Sequence, residues 1–314
     1  MTIRRVLTAV AVAIFTAAPL ALTAAPASAK SAHPKHATAK RTRHDGEGDN
    51  GVSAVRPGSD YLALGDSVTF GYEESSVVPA PDYSDASSLI GYPAMLGSEL
   101  HLNVANASCP GETSASLIDA TVISNGCENT LGQPVGYRTA FPLHVSYTGS
   151  QLSFAVSYLR SHPRTRLVSL MIGANDGFVC QETTADHCAS ASELQGFLTS
   201  IGNNVTTILS TIRHEGHYRG QIVIVNYYSL DYASATDNAQ SESLNTAMDT
   251  AAAPFGVEIA DGFGEWQAAS VHSAGNPCTA GLLTQLSGGG CGIHPSLAGQ
   301  ALLAQAVEDA IDFR

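Results

Sequence analysis

Lysine is nearly missing from this chain of 314 residues: there are three, Lys30, Lys35 and Lys40, and none follows them. Basic residues are scarce throughout. Residues 1–57 hold eight Lys and Arg and three Asp and Glu; the chain totals are 15 and 28, so residues 58–314 hold seven and 25, a net −18. A body this acidic repels nucleic acid and anionic membrane surfaces, whose phosphates are bound by clustered Lys and Arg. After the N-terminal segment no apolar run is long enough to span a bilayer, so stable membrane insertion is not expected. No internal repeat appears, which sets solenoid architectures aside. No pair of cysteines has the spacing of a zinc site. His214-Glu215-Gly216-His217 is one residue short of placing two histidines at i and i+4, and its place between a helix and a strand reads as a solvated turn.

What is there begins with Arg4 and Arg5, an apolar run from Val6 to about Ala25, and the small residues Ala27-Ser28-Ala29. A charged start, an apolar centre and a small-x-small exit predict a secretory signal peptide over residues 1–29, cleaved after about Ala29. A retained membrane anchor is the competing reading, since the run is nearly long enough to span. Pro19, the many Ala and Thr and the cleavage motif favour removal, and hence an extracellular protein. Residues 30–57, rich in Lys, His, Arg, Ser, Ala and Gly, show no periodicity and predict a disordered linker. A tether to a cell wall or anionic surface is its functional reading, a plain spacer the simpler one. Residues 58–314 form the expected domain.

Six cysteines in an exported chain imply disulfides rather than metal ligands or a catalytic thiol. Six cysteines permit 15 connectivities, among which sequence alone does not choose. Pairing neighbours gives Cys109–Cys127, Cys180–Cys188 and Cys278–Cys291, each closing a short loop beside a motif described below.

Short apolar runs predict strands at Tyr61–Leu64, Leu102–Ala105, Leu167–Ile172, Gln221–Val225 and, weakly, Val257–Ile259. Helical patterns lie between and after them, at Tyr92–Leu100, Leu152–Leu159, Glu193–Arg213, Ser241–Ala253 and Leu297–Ile311. In the fourth of these, Leu244, Ala247 and Met248 share one face. The alternation implies an α/β domain with a parallel sheet covered on both faces, and ligands beyond the carboxyl ends of its strands. Residues 108–150, Gly- and Pro-rich and poorly periodic, are expected to be loops around the site.

Chemistry-bearing residues stand at those strand ends. The first strand runs into Gly65-Asp66-Ser67, placing a serine at the mouth of the sheet. The second is followed by Gly111, where backbone can approach a ligand closely, and the third by Gly173-Ala174-Asn175-Asp176, which offers a side-chain amide. His294 precedes the last helix. Each signal is weak alone, since Gly-Asp-Ser and a lone Asn are ordinary turn residues. Together, in this order, they supply a nucleophile, a backbone donor, a side-chain donor and a base.

With those four blocks, Gly65-Asp66-Ser67, Gly111, Gly173-x-Asn175-Asp176 and His294, the chain from about Tyr61 to Ile311 resembles the SGNH hydrolases, the GDSL esterases and lipases, in their secreted actinobacterial-type form. The resemblance implies a three-layer α/β/α sandwich, flavodoxin-like, around a five-stranded parallel sheet. It implies Ser67 as nucleophile, His294 as general base, and an oxyanion hole made by the Ser67 and Gly111 N–H groups and the Asn175 side chain. No cofactor is implied. Two departures stand out. Val68 replaces a frequent leucine, and Cys291 occupies the position where the family's last block carries the Asp that orients the histidine. The Cys291 carbonyl, held by a disulfide, is expected to orient His294 in its place, with Asp261 as the reserve carboxylate. The implied activity is carboxylic ester hydrolysis on a small-molecule or lipid ester by a monomer. The alternatives are a carbohydrate O-acetylesterase, a phospholipase A, or a non-enzymatic binding domain. Tyr227-Tyr228, after the fourth strand, could line an acyl or alcohol pocket or simply pack in the core.

Overall fold

The computed structural model describes residues 54–313; the expected signal peptide and nearly all of the expected linker lie outside them. The folded chain starts earlier than the boundary expected at residues 57 and 58. Val55 is fully buried, its N–H donates to the Asp312 carbonyl at 2.9 Å, and it bridges to Phe313.

Five parallel strands make the central sheet: β1 (Asp60–Gly65), β2 (Asn103–Asn106), β3 (Thr165–Met171), β4 (Gln221–Val225) and β5 (Glu258–Ala260). Their order is β2-β1-β3-β4-β5, every neighbouring pair being parallel. β1 and β4 are buried along their whole length, as strands covered on both faces must be. The helices are α1 (Ser67–Phe70), α2 (Tyr92–Glu99), α3 (Ser114–Ile118), α4 (Tyr137–Ala140), α5 (Gln151–Ser161), α6 (Ala174–Thr183), α7 (Ala191–His214), α8 (Ala235–Ala252), α9 (Gly262–Ser270) and α10 (Leu297–Ala310). They pack as two groups. α10 lies against α2 and α9, whereas α7 lies against α3, α5, α6 and α8. The result is a three-layer α/β/α arrangement.

Local sequence accounts for the main elements. α7 buries Ile201, Val205, Ile208, Leu209 and Ile212, a stripe at helical spacing, and starts where Ser190 Oγ accepts from the Glu193 N–H. Each such side chain, taken fully out of water, contributes about 1.5–3 kcal/mol. Leu244 and Met248 of α8 are buried on its inner face.

A second, two-stranded antiparallel sheet follows the main one: β6 (Leu283–Gln285) and β7 (Cys291–Pro295). This hairpin docks on the segment after α1, where Ser287 N–H donates to the Ser76 carbonyl at 2.7 Å and Leu286 bridges to Val77. That docking places residues 74–77 beside β7.

The carboxyl ends of all five strands lie along one edge of the sheet. Ser67 follows β1 and Asn175 follows β3, the two strands between which the strand order changes direction. Ligands of open parallel sheets bind at this kind of position.

Candidate active site

Gly65, the last residue of β1, has no room for a side chain. A Cβ there would sit 2.4 Å from both the Met171 carbonyl oxygen and Thr69 Oγ1. The Gln151 side chain holds this glycine from both sides: Oε1 accepts from its N–H at 3.0 Å, and Nε2 donates to its carbonyl at 2.8 Å. The chain then turns at Asp66, whose Oδ1 accepts from the Val68 N–H at 3.0 Å and caps α1. Ser67, the first residue of that helix, is left at the rim, 9% exposed. Gln300 of α10 anchors the same turn by donating to the Val68 carbonyl at 2.9 Å.

The structure brings Ser67 and His294 together. Ser67 Oγ lies 3.0 Å from His294 Nε2. On the other side of the ring, His294 Nδ1 lies 2.8 Å from Glu74 Oε1. The same Oε1 accepts from the Ile293 N–H at 2.7 Å and the His294 N–H at 3.2 Å, and Oε2 accepts from Thr284 Oγ1 at 2.6 Å. Burial raises the Glu74 pKa, but the His294 hydrogen bond and charge, with the Thr284 hydroxyl, outweigh it and bring the group down to about 2. The carboxylate is therefore ionised at any ordinary pH. The Tyr72 ring stands edge-on to the imidazole, centroids 5.0 Å apart, and Tyr83 stacks on Tyr72.

This geometry corrects both orienting groups expected from sequence. The imidazole is oriented by the Glu74 carboxylate and not by the Cys291 carbonyl. Cys291 belongs to the β6–β7 hairpin, paired with Gln285. Asp261 is engaged elsewhere, capping α9 through the Gly264 N–H at 2.8 Å. Glu74 reaches His294 because the hairpin docks on the 74–77 segment, a contact between parts of the chain 220 residues apart.

The expected oxyanion donors sit at neighbouring strand ends. Asn175, in the first turn of α6, is 5% exposed. Its Nδ2 faces Asp66 Oδ2 at 3.4 Å, and its Oδ1 accepts from Asn125 Nδ2 at 2.9 Å. Gly111 adopts φ +82°, and its carbonyl accepts from the Asn125 N–H at 2.7 Å. Asp176 secures the Asn175 turn to α3, its carboxylate accepting from the Ser114 N–H at 2.8 Å and Oγ at 2.5 Å. Asp66 is pushed up to about 6, burial outweighing its hydrogen bonds from the Tyr227 hydroxyl and the Val68 N–H. Burial likewise carries Asp176 up to about 6 against its bonds from Ser114.

The two tyrosines after β4 belong to the support of the site. Tyr227, 6% exposed, donates its hydroxyl to Asp66 Oδ2 at 2.5 Å. Tyr228 stacks on Trp266, centroids 3.7 Å apart, and donates to the Ile293 carbonyl at 2.6 Å, fixing the strand that carries His294. The disulfides are Cys109–Cys127, Cys180–Cys188 and Cys278–Cys291. Among the described residues the one metal-like grouping, Cys109, Glu112 and Cys127, contains the two sulfurs of a disulfide and offers no thiolate. His214, Glu215 and His217 lie exposed at the end of α7. No helix among the described residues is long and apolar enough to cross a membrane.

A serine hydroxyl, an imidazole and an ionised carboxylate in line, at the carboxyl edge of a parallel α/β sheet, are the arrangement that serine hydrolases use. The chain belongs to the GDSL-like lipase/acylhydrolase family, whose model matches residues 63–302. Among solved structures it is similar to phospholipase A1 from Streptomyces albidoflavus NA297, at 18% identity and TM-score 0.53, over 81% of this chain and 99% of that one. It is also similar to an acetylxylan esterase from Geobacillus stearothermophilus, solved as a catalytic mutant, at 16% identity and TM-score 0.51, over 83% of this chain and 98% of that one. Comparison with the curated proteins gave no match. The five-stranded sheet and its helical layers are thus those of the SGNH hydrolases.

Proposed function

We propose that this protein is a secreted serine esterase that hydrolyses carboxylic esters through an acyl-enzyme on Ser67. The observation that carries the reading is the unbroken line from Ser67 Oγ through the imidazole, 3.0 Å on one side and 2.8 Å on the other, to Glu74. As Oγ attacks the ester carbonyl, its proton passes to His294 Nε2, and Glu74 stabilises the imidazolium through Nδ1. Charge that develops on the carbonyl oxygen meets the Ser67 and Gly111 N–H groups and the Asn175 amide. Losing one donor of this kind costs about 100- to 1,000-fold in rate. The imidazolium then protonates the leaving alcohol, and water releases the acid by the reverse sequence. Export is supported by three disulfides, which persist in oxidising compartments, and by the N-terminal sequence pattern.

The test is hydrolysis of para-nitrophenyl esters from acetate to palmitate by the mature protein beside Ser67→Ala. Turnover in the native protein and none in the folded variant is expected. Undiminished turnover in Ser67→Ala would end the assignment. Preference along the series separates substrate classes: long acyl chains favour a lipase or phospholipase A, and acetate a carbohydrate O-acetylesterase. Absence of turnover on every ester by the folded native protein would favour a binding domain.

A further inference from the structure

The loop between Cys109 and Cys127 contains both Gly111 and Asn125, and the disulfide closes it. Within it the two residues are packed backbone to backbone. A Cβ on Gly111 would fall 2.4 Å from the Asn125 carbonyl oxygen, so the approach is as tight as glycine permits. Asn125 uses two donors in two directions. Its N–H goes to the Gly111 carbonyl at 2.7 Å, and its side-chain Nδ2 goes to Asn175 Oδ1 at 2.9 Å. Thr113 Oγ1, donating to the Ile123 carbonyl at 3.1 Å, ties the loop together just before Asn125. One half-buried residue thus touches both donor elements that follow β2 and β3.

Consider what this does to Asn175. An amide is planar and has one oxygen and two N–H groups. The oxygen is occupied by Asn125, and one N–H faces Asp66 Oδ2 at 3.4 Å. The second N–H is left for a substrate oxygen. Rotation of the amide by 180° would present the oxygen to a developing oxyanion, which is repulsive. In that rotated state Asn125 Nδ2 would also face an NH₂ group.

Resting on the serine-esterase reading above, we propose that Asn125 is a positioning residue for the oxyanion hole, holding Gly111 and the donor orientation of Asn175 at once. It does not touch the reacting atoms; it acts through the two groups that do. Preorganised donors are effective because they need no reorientation when charge develops.

The experiment compares Asn125→Ala, Asn125→Asp and Asn175→Ala, alone and with Asn125→Ala combined with Asn175→Ala, on a short-chain para-nitrophenyl ester. Asn125→Ala is expected to lower kcat about tenfold or more while KM stays within about twofold, because only transition-state stabilisation is lost. Asn125→Asp keeps the shape and the backbone donor but replaces the side-chain NH₂ by a carboxylate. Asn175 must then turn an N–H toward it, so kcat is expected to fall further than in Asn125→Ala and to approach the roughly 100-fold loss of a missing donor. In the Asn175→Ala background, Asn125→Ala is expected to add less than about threefold, since the two act as a unit.

Wild-type kcat in Asn125→Asp, or a fully multiplicative loss in the double variant, would overturn the proposal. If Asn125→Ala fails to fold, the near-isosteric Asn125→Asp carries the comparison. Full activity in Ser67→Ala would instead strike at the esterase reading itself, so the two failures are distinguishable.

Discussion

At Glu74 one carboxylate oxygen receives the imidazole and two backbone N–H groups, while the other receives a hydroxyl. A carboxylate that accepts four hydrogen bonds is well fixed, and although burial raises its pKa, the His294 hydrogen bond and charge together with the Thr284 hydroxyl bring it down to about 2. Glu74→Gln leaves the volume nearly unchanged but removes the charge opposite the imidazolium and permits the wrong tautomer. A loss of about 10³–10⁴ in kcat with little change in KM is expected, by analogy with Asp-to-Asn exchange in serine proteases. Steady-state kinetics on a short-chain ester decides it; a kcat within threefold of wild type would mean that Glu74 has no such role. Nothing near His294 in sequence announces this residue. Glu73 and Glu74 are adjacent acids in a loop, and only the folding of a distant hairpin makes one of them the partner of His294.

The strands show at the scale of elements how far the sequence carries. All five were legible, with bounds within two residues, because runs such as Gln221–Val225 are apolar enough to be buried on both faces. The strand-end placement of Ser67 and Asn175 followed from them. α6 was hidden because its first residues, Ala174-Asn175-Asp176-Gly177, have the composition of a turn; in the fold, Asp176 of its first turn is anchored on Ser114. α3 and α4 lie inside the segment read as loop, each too short to show a period. The β6–β7 hairpin was hidden as well, being two short strands around a run of three glycines, 288–290.

That hairpin carries His294, and its second strand is held by independent ties: the Cys278–Cys291 bridge, the Tyr228 hydroxyl on the Ile293 carbonyl, and Glu74 on the Ile293 and His294 N–H groups. Replacing Cys278 and Cys291 together by serine removes one tie and leaves the others. The expected loss is about 2–4 kcal/mol of unfolding free energy, with kcat lowered much less than tenfold. Urea titration and ester kinetics on the same preparation measure both. Unchanged stability would show that the bridge adds nothing to the fold, and a collapse of kcat in the folded variant would show that the tyrosine and glutamate ties do not suffice to place His294.

For the molecule as a whole, acidity and buried carboxylates act in the same direction. Residues 58–314 carry 25 acidic and seven basic residues, so rising pH increases self-repulsion. Asp66 and Asp176 are each held up to about 6 by burial. Glu112, buried and close to the Glu128 charge, is raised too, well above the usual carboxylate range, although Ser116 and Gln151 donate to it. A carboxyl whose folded pKa exceeds its unfolded value keeps its proton longer in the native state. Between roughly pH 4 and 6, and higher for Glu112, the native protein therefore binds more protons than the unfolded chain, and stability falls as pH rises. Glu74 has the opposite sign: its contribution is complete above the ordinary glutamate range and is lost as pH falls through about 2. Maximum stability is expected near pH 4–5, on the acid side of neutrality, with a decline toward pH 8. Glu112→Gln tests the largest part of that decline, because a neutral amide retains hydrogen-bonding contacts to Ser116 and Gln151 but has no proton to lose. Its urea midpoint should vary less between pH 5 and 8 than that of the native protein. A variant whose urea midpoint declines in parallel with the native one would show that Glu112 is ionised in the folded state and that the acidic surface sets the decline; a native midpoint that climbs steadily over this interval would overturn the sign argued for both contributions.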